Sequence, residues 1–196
     1  FSDPPAVRRA EDIHACAALH PTVQVIHFPL SDCIYRADPD SGAYLYASEE
    51  AIFGEPASSD PAWAVLAGLP SLPEDARLYC PLAVGGHVDH RVTRCAIEAW
   101  GLSPDRLWYY EDYPYVLADG ALEAALAGGG WQAERIPLTG EALEARIRAI
   151  AEHRSQISTF WAGAKAMREA IHAFACARGG ERFWRVRGQQ SVPPSV

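Results

Sequence analysis

Leu78-Tyr79-Cys80-Pro81-Leu82-Ala83-Val84 runs into Gly85-Gly86 and then directly into His87-Val88-Asp89-His90. The apolar run has the length and bounding turn residues of a buried strand, and Val92 to Trp100 carries apolar residues at helical spacing. The pattern therefore predicts strand, tight turn and helix. In an open α/β sheet, ligands bind in the crevice beyond the carboxyl ends of the strands. Two imidazoles and a carboxylate fall at that place. A polar helix cap, with Asp89 satisfying backbone N–H groups, is the plain structural account. The functional account gives one imidazole to a metal and the other to a reacting oxygen, with Asp89 orienting a ring. The crowding favours function.

Upstream, Val23-Gln-Val-Ile-His-Phe28 is a β-branched run that reads as a strand, and Pro29-Leu30-Ser31-Asp32 closes it. Asp32 then sits at a strand's carboxyl end, as a turn-former or as a binding residue. Ala6 to Leu19 reads as a helix in which Arg8 and Glu11 stand at i and i+3, the spacing of a surface ion pair. Residues 36 to 60 form a turn-rich loop containing Tyr44, Tyr46 and Phe53. Such a long loop is expected to pack and to cover a site.

Downstream, Arg106 to Tyr110 is a strand leading into Glu111-Asp112-Tyr113-Pro114, and Trp131 to Leu138 is another. Helical patterns cover Pro61 to Leu69, Ala121 to Ala127, Glu141 to His153, Ser155 to Phe160 and Lys165 to Cys176. Gly128-Gly-Gly130 is a turn and not a phosphate loop, since no helix with Lys-Ser/Thr follows it. Gln189 to Val196 is poor in structure signals.

A length of 196 residues suits one domain, and a net charge of −8 argues against a nucleic-acid footprint. The five cysteines form no Cys-x-x-Cys. Cys16, Cys80 and Cys95 lie within apolar patterns, so buried free thiols in a reducing compartment, the cytoplasm, are expected. No stretch has the ~20 apolar residues of a membrane span. A homo-oligomer is compatible with the sequence.

Taken together, these residues resemble the LmbE-like (PIG-L) family of metal-dependent N-deacetylases. The resemblance lies in Gly85-Gly-His87-Val-Asp89-His90, where the family has a Gly-His-Pro-Asp-His type motif. It extends to Arg8-x-x-Glu11, Leu30-Ser-Asp32, Tyr110-Glu-Asp-Tyr-Pro, Arg154-Ser-Gln156 and Glu181-Arg-Phe-Trp184. It implies an α/β fold, a Rossmann-like three-layer α/β/α sandwich with a mostly parallel sheet, in one domain over residues 1–196. It implies that His90 is a metal ligand, that His87 hydrogen-bonds the tetrahedral oxyanion, and that Asp89 holds a histidine in its tautomer. Arg8 and Asp32 match substrate-contacting positions. The implied cofactor is zinc, or another divalent metal. The implied substrate is an N-acetylated amino sugar or its glycoconjugate.

Two departures stand out. Val88 replaces the usual proline. The family's His-Pro-Asp-Asp motif, which brings the other metal ligands and the general base, does not occur in these residues. The expectation is therefore a domain lacking its first βαβ unit, a piece of about 30 or more residues. The alternatives are a non-catalytic binding or scaffold domain of the same fold, or one half of a processed two-chain enzyme.

Overall fold

The computed structural model describes residues 4–69 and 72–187, so Gln189 to Val196 lie outside it. Two compact units divide these residues. One takes the chain up to Asp32 together with Arg135–Glu181; the other takes Cys33–Glu134 and the chain from Arg182 on.

The first unit is helical. Helix α1 (Pro4–Leu19) packs chiefly against a later helix of the same unit, Gly140–Glu152. The helix Ala164–Arg178 buries Met167, Ile171, Phe174 and Ala175, a stripe at i, i+4, i+7 and i+8. It stops at Gly179, whose φ of 67° gives a left-handed cap. Between these two helices lies the short helix Arg154–Phe160. Its start is tied to α1: Glu11 accepts hydrogen bonds from Ser155 N at 2.8 Å and Ser155 Oγ at 2.6 Å. The expected surface pair between Arg8 and Glu11 is thus replaced by a buried carboxylate on Ser155. Arg8 instead forms an ion pair with Asp32.

In the second unit, short helices α2 (Glu49–Ile52) and α3 (Ala62–Ala67) precede strand β1 (Leu78–Pro81) and helix α4 (Val88–Glu98). Strand β2 (Leu107–Tyr110), helix α5 (Ala121–Ala125) and strand β3 (Trp131–Ile136) follow. The chain passes through α6 (Gly140–Glu152), α7 (Arg154–Phe160) and α8 (Ala164–Arg178) before returning as β4 (Glu181–Val186). The sheet order is β1-β2-β4-β3. β1 and β2 are parallel, joined through α4, with Leu78 opposite Leu107 and Pro81 opposite Tyr110. β4 runs antiparallel to β2. It also runs antiparallel to β3: Arg187 N bonds Gly130 O at 2.6 Å, while Arg185 pairs with Glu134.

The expected mostly parallel sheet is therefore not what the described strands form. A parallel pair needs a crossover, and β1-α4-β2 supplies one. β4 comes in from α8 and slots between β2 and β3 in the opposite sense. Residues 23–28, expected as a strand, join no ladder among the described residues, and Ile26 is 72% exposed. β-branched composition favours a strand only where a partner and a covered face exist.

The core of this unit forms around β1 and α4. Leu82, Val84, Val88 and Val92 are fully buried, and Trp108 and Tyr109 of β2 are nearly so. Val88, the departure from proline, packs with Cys33 and Tyr46. The five cysteines are free thiols; Cys33 and Cys80 are buried, whereas Cys95, expected in the core, is exposed. Helix α4 turns Val88, Val92, Ala96 and Ile97 inward and leaves Cys95 on its outer side.

Two substitutions test this architecture. Burial alone would raise the Glu11 carboxyl, but the Ser155 hydrogen bonds, His153 and Arg8 bring it below the ordinary glutamate value. Glu11→Gln should cost about 1–3 kcal/mol at neutral pH. Because the folded value lies below the ~4.3 of an unfolded glutamate, the loss is complete above that pH. It shrinks as pH falls through the folded value, and urea melts across the acid range read this directly. At Gly85, φ is 83° and an added Cβ would stand 2.7 Å from Tyr115 Cβ. Gly85→Ala should lower the melting temperature well beyond Gly42→Ala, where φ is 71° and nothing lies within 4 Å.

Candidate functional site

The site is built on the turn from β1 to α4 in the second unit. Ala83, Gly85 and Gly86 have φ of 60°, 83° and 79°, so the chain reverses in a left-handed stretch. Glycine meets this cost freely; Ala83 does not. The turn is anchored from β2: Leu82 N donates to Tyr110 O at 3.0 Å, and Val84 N donates to Asp112 Oδ2 at 2.8 Å.

His87 is the N-cap of α4. Its Nδ1 accepts the N–H of Asp89 at 3.3 Å. A neutral imidazole with Nδ1 accepting carries its proton on Nε2. The ring therefore presents an Nε2–H donor, 3.9 Å from the Cys33 sulfur. Phe53 meets it edge-on with ring centres 5.5 Å apart, and Tyr115 lies at 6.3 Å. Of the aromatic residues in the 36–60 loop, Phe53 thus reaches the histidine, Tyr46 enters the core, and Tyr44 is exposed.

The Asp89 carboxylate faces a buried cation. Arg36 Nη1 lies 2.5 Å from Asp89 Oδ1, and Arg36 Nη2 lies 3.0 Å from Asp60 Oδ2. Burial would lower the Arg36 guanidinium, but Asp89 and Asp60 hold it above its ordinary value. Asp60 also accepts the Tyr46 hydroxyl at 2.7 Å and Ala62 N at 2.9 Å. Cys33 N donates to Asp89 Oδ2 at 3.3 Å. Removing one partner of such a buried pair costs about 3–5 kcal/mol, because the other charge is left uncompensated.

His90 stands in the first turn of α4, its ring centre 5.3 Å from that of His87 and 5.8 Å from that of Tyr115. Its Nδ1 lies 2.8 Å from Oδ1 of Asp112, a side chain with no exposed surface. The two atoms meet at ion-pair distance, outside hydrogen-bond alignment, and neither has a hydrogen-bond partner among the described residues. Asp112 is thus shared between the turn backbone and the histidine. Its neighbour Glu111 has a structural task, accepting from Arg182 and, at 2.9 Å, from Trp184 Nε1 on β4.

His87, Asp89 and His90 are brought together at the start of α4, and Arg8 and Asp32 are brought together in the helical unit. The carboxylate placed against His90 is Asp112 and not Asp89. Sequence spacing shows Asp112 only as one of two acids after a strand. Arg36, Asp60 and Cys33 carry no local signal at all; Arg36 and Cys33 reach Asp89 from more than 50 residues away in the chain, and Asp60 joins them through Arg36.

Metal chemistry suits two places here. A histidine that donates one ring N–H to a carboxylate is the usual arrangement behind a metal-bound Nε2, and Asp112 stands at that place, 2.8 Å from His90 Nδ1. The group of three donors among the described residues whose ligand atoms all lie within 4.8 Å of one another is Cys33, His87 and Asp89. No helix of the described residues is long and apolar enough to cross a membrane.

No family model and no curated protein sequence matches this chain. Solved structures do. The zinc-inhibited form of teicoplanin deacetylase Orf2 aligns with a TM-score of 0.65 at 22% identity, over 95% of this chain and 75% of that one. A deacetylase–bog complex from the biosynthesis pathway of teicoplanin aligns with a TM-score of 0.68 at 24% identity, over 95% and 74% of the two chains. The deacetylase–teicoplanin complex of the same pathway gives 0.60 at 24% identity, over 94% and 74%. The chain shares the fold of these deacetylases.

Proposed function

We propose that this chain is a metal-dependent N-deacetylase domain of the LmbE-like (PIG-L) kind, removing an acyl group from an amino sugar or its glycoconjugate. The observation that carries the reading is the pair of imidazoles at the head of α4, each held by a different partner. It gains support from the fold shared with the teicoplanin deacetylases. The Rossmann-like three-layer architecture, the single-domain organisation and a cytoplasmic location belong to the same reading.

In this proposal His90 ligates zinc, or another divalent cation, through Nε2, with Asp112 behind Nδ1. In the family the remaining ligands and the general base belong to a His-Pro-Asp-Asp motif, which these residues do not contain. When bound, such a cation supplies a Lewis acid and lowers the pKa of water toward ~7.

His87 donates its Nε2–H to the amide carbonyl oxygen as negative charge develops there. A donor already oriented before the reaction needs no reorganisation at that moment. Asp89 acts through its backbone N–H, which sets the His87 tautomer, while Arg36 holds its carboxylate in place. Phe53 and Tyr115 flank the imidazoles and limit water around them. The complex between a related fold and teicoplanin favours a glycoconjugate as the substrate class.

The test separates the two histidines. His87→Ala should lower kcat by about 100- to 1000-fold while metal content stays near that of the unaltered protein. His90→Ala should abolish activity and lower the metal content. Asp112→Asn should weaken metal affinity by roughly 10- to 100-fold, read by competition with a chelator. Normal turnover by His87→Ala would overturn its assignment, and full metal retention by His90→Ala would overturn the other.

A further inference from the structure

We infer that Cys33, His87 and Asp89 form a thiolate-containing binding site for a zinc-class divalent cation, separate from the site assigned to His90. Three observations converge on it. The ligand atoms of these residues lie within 4.8 Å of one another, and the sulfur is 3.9 Å from His87 Nε2. Tetrahedral zinc with Zn–S ~2.3 Å and Zn–N ~2.0 Å needs a sulfur–nitrogen separation of ~3.5 Å, so that edge closes by a few tenths of an ångström.

Second, the frame is rigid. Cys33 has no exposed surface and opens the 3-10 turn Cys33–Tyr35. Asp89 is fixed between Arg36 and the Cys33 N–H, and each of its oxygens keeps a further lone pair for a cation.

Third, the charges suit a thiolate. The Arg36 guanidinium is within electrostatic reach of Cys33 as well as of Asp89. A divalent cation and the Arg36 guanidinium are balanced by three anions: the Cys33 thiolate, Asp89 and Asp60. A sulfur, nitrogen and oxygen donor set selects zinc, cobalt or cadmium over magnesium or calcium.

On binding, the Cys33 thiol releases its proton to solvent as sulfur bonds the cation. The His87 ring moves its proton from Nε2 to Nδ1, coordinates through Nε2, and gives up the N–H of Asp89. His87 can no longer donate to a substrate. On the deacetylase reading above, and resting on it, excess zinc should therefore inhibit.

Cobalt(II) titration of the unaltered protein tests the site without reference to activity. A sulfur-to-cobalt charge-transfer band in the near ultraviolet is expected, absent in Cys33→Ser and kept in His90→Ala. X-ray absorption of the zinc-loaded, unaltered protein should show one sulfur neighbour, which holds the test open if Cys33→Ser misfolds. Cobalt or zinc binding without sulfur coordination, or a band that survives in folded Cys33→Ser, would overturn the site. In assays, Cys33→Ser should need an order of magnitude more zinc for half inhibition. A band in a protein without deacetylase activity upholds the site and rejects the activity; activity with no sulfur coordination does the reverse.

Discussion

Asp112 is a carboxyl group with no exposed surface, two residues past the end of β2 in the parallel pair β1–β2, and such a group is tolerated in a fold only if its polar atoms are answered. Its two oxygens face different structures. One takes the Val84 N–H in the left-handed turn, and the other faces the His90 ring on the first turn of α4. The sheet edge, the turn and the helix are thereby tied to one side chain. Gly85 lets the turn pass against Tyr115, whose ring in turn borders both histidines. Moving Asp112 would release the turn and the imidazole together.

Asp89 is the complementary anchor. Its carboxylate engages the buried Arg36–Asp60–Tyr46 network and the Cys33 N–H, while its backbone N–H reaches His87. One residue thus fixes the α4 start against the 33–60 segment and sets which nitrogen of His87 carries the proton. The two imidazoles, three residues apart on one helix, acquire different properties from these partners. His90 is backed by an anion, as a metal ligand is. His87 is capped by a donor and so is itself a donor.

Much of this was legible in the sequence where the signal is local. The apolar run ending at Val84, the glycine pair and the helical spacing after it located β1, the turn and α4. The short apolar run before Glu111 located β2. Helix signals held to within a few residues, because apolar periodicity is a property of neighbouring positions. What failed was non-local. Glu181–Val186 mixes charged with apolar residues without regular alternation, and nothing nearby shows that it inserts between β2 and β3. Residues 23–28 have strand composition, but composition does not supply a pairing partner. Glu11 and Arg8 were at helical pair spacing, yet each found a better partner, Ser155 and Asp32, through tertiary packing. Cys33 and Arg36 look like ordinary loop residues until the fold carries them to Asp89.

The central claim is that the head of α4 hydrolyses an acyl amide on an amino sugar. The most direct measurement is incubation of the metal-loaded natural protein with N-acylated amino-sugar glycosides and a glycopeptide of the teicoplanin type, followed by mass spectrometry and assay of the free acid. The account predicts loss of one acyl group, with free amine and carboxylic acid formed in equal amounts. Folded, metal-loaded protein that leaves every such amide intact would contradict it.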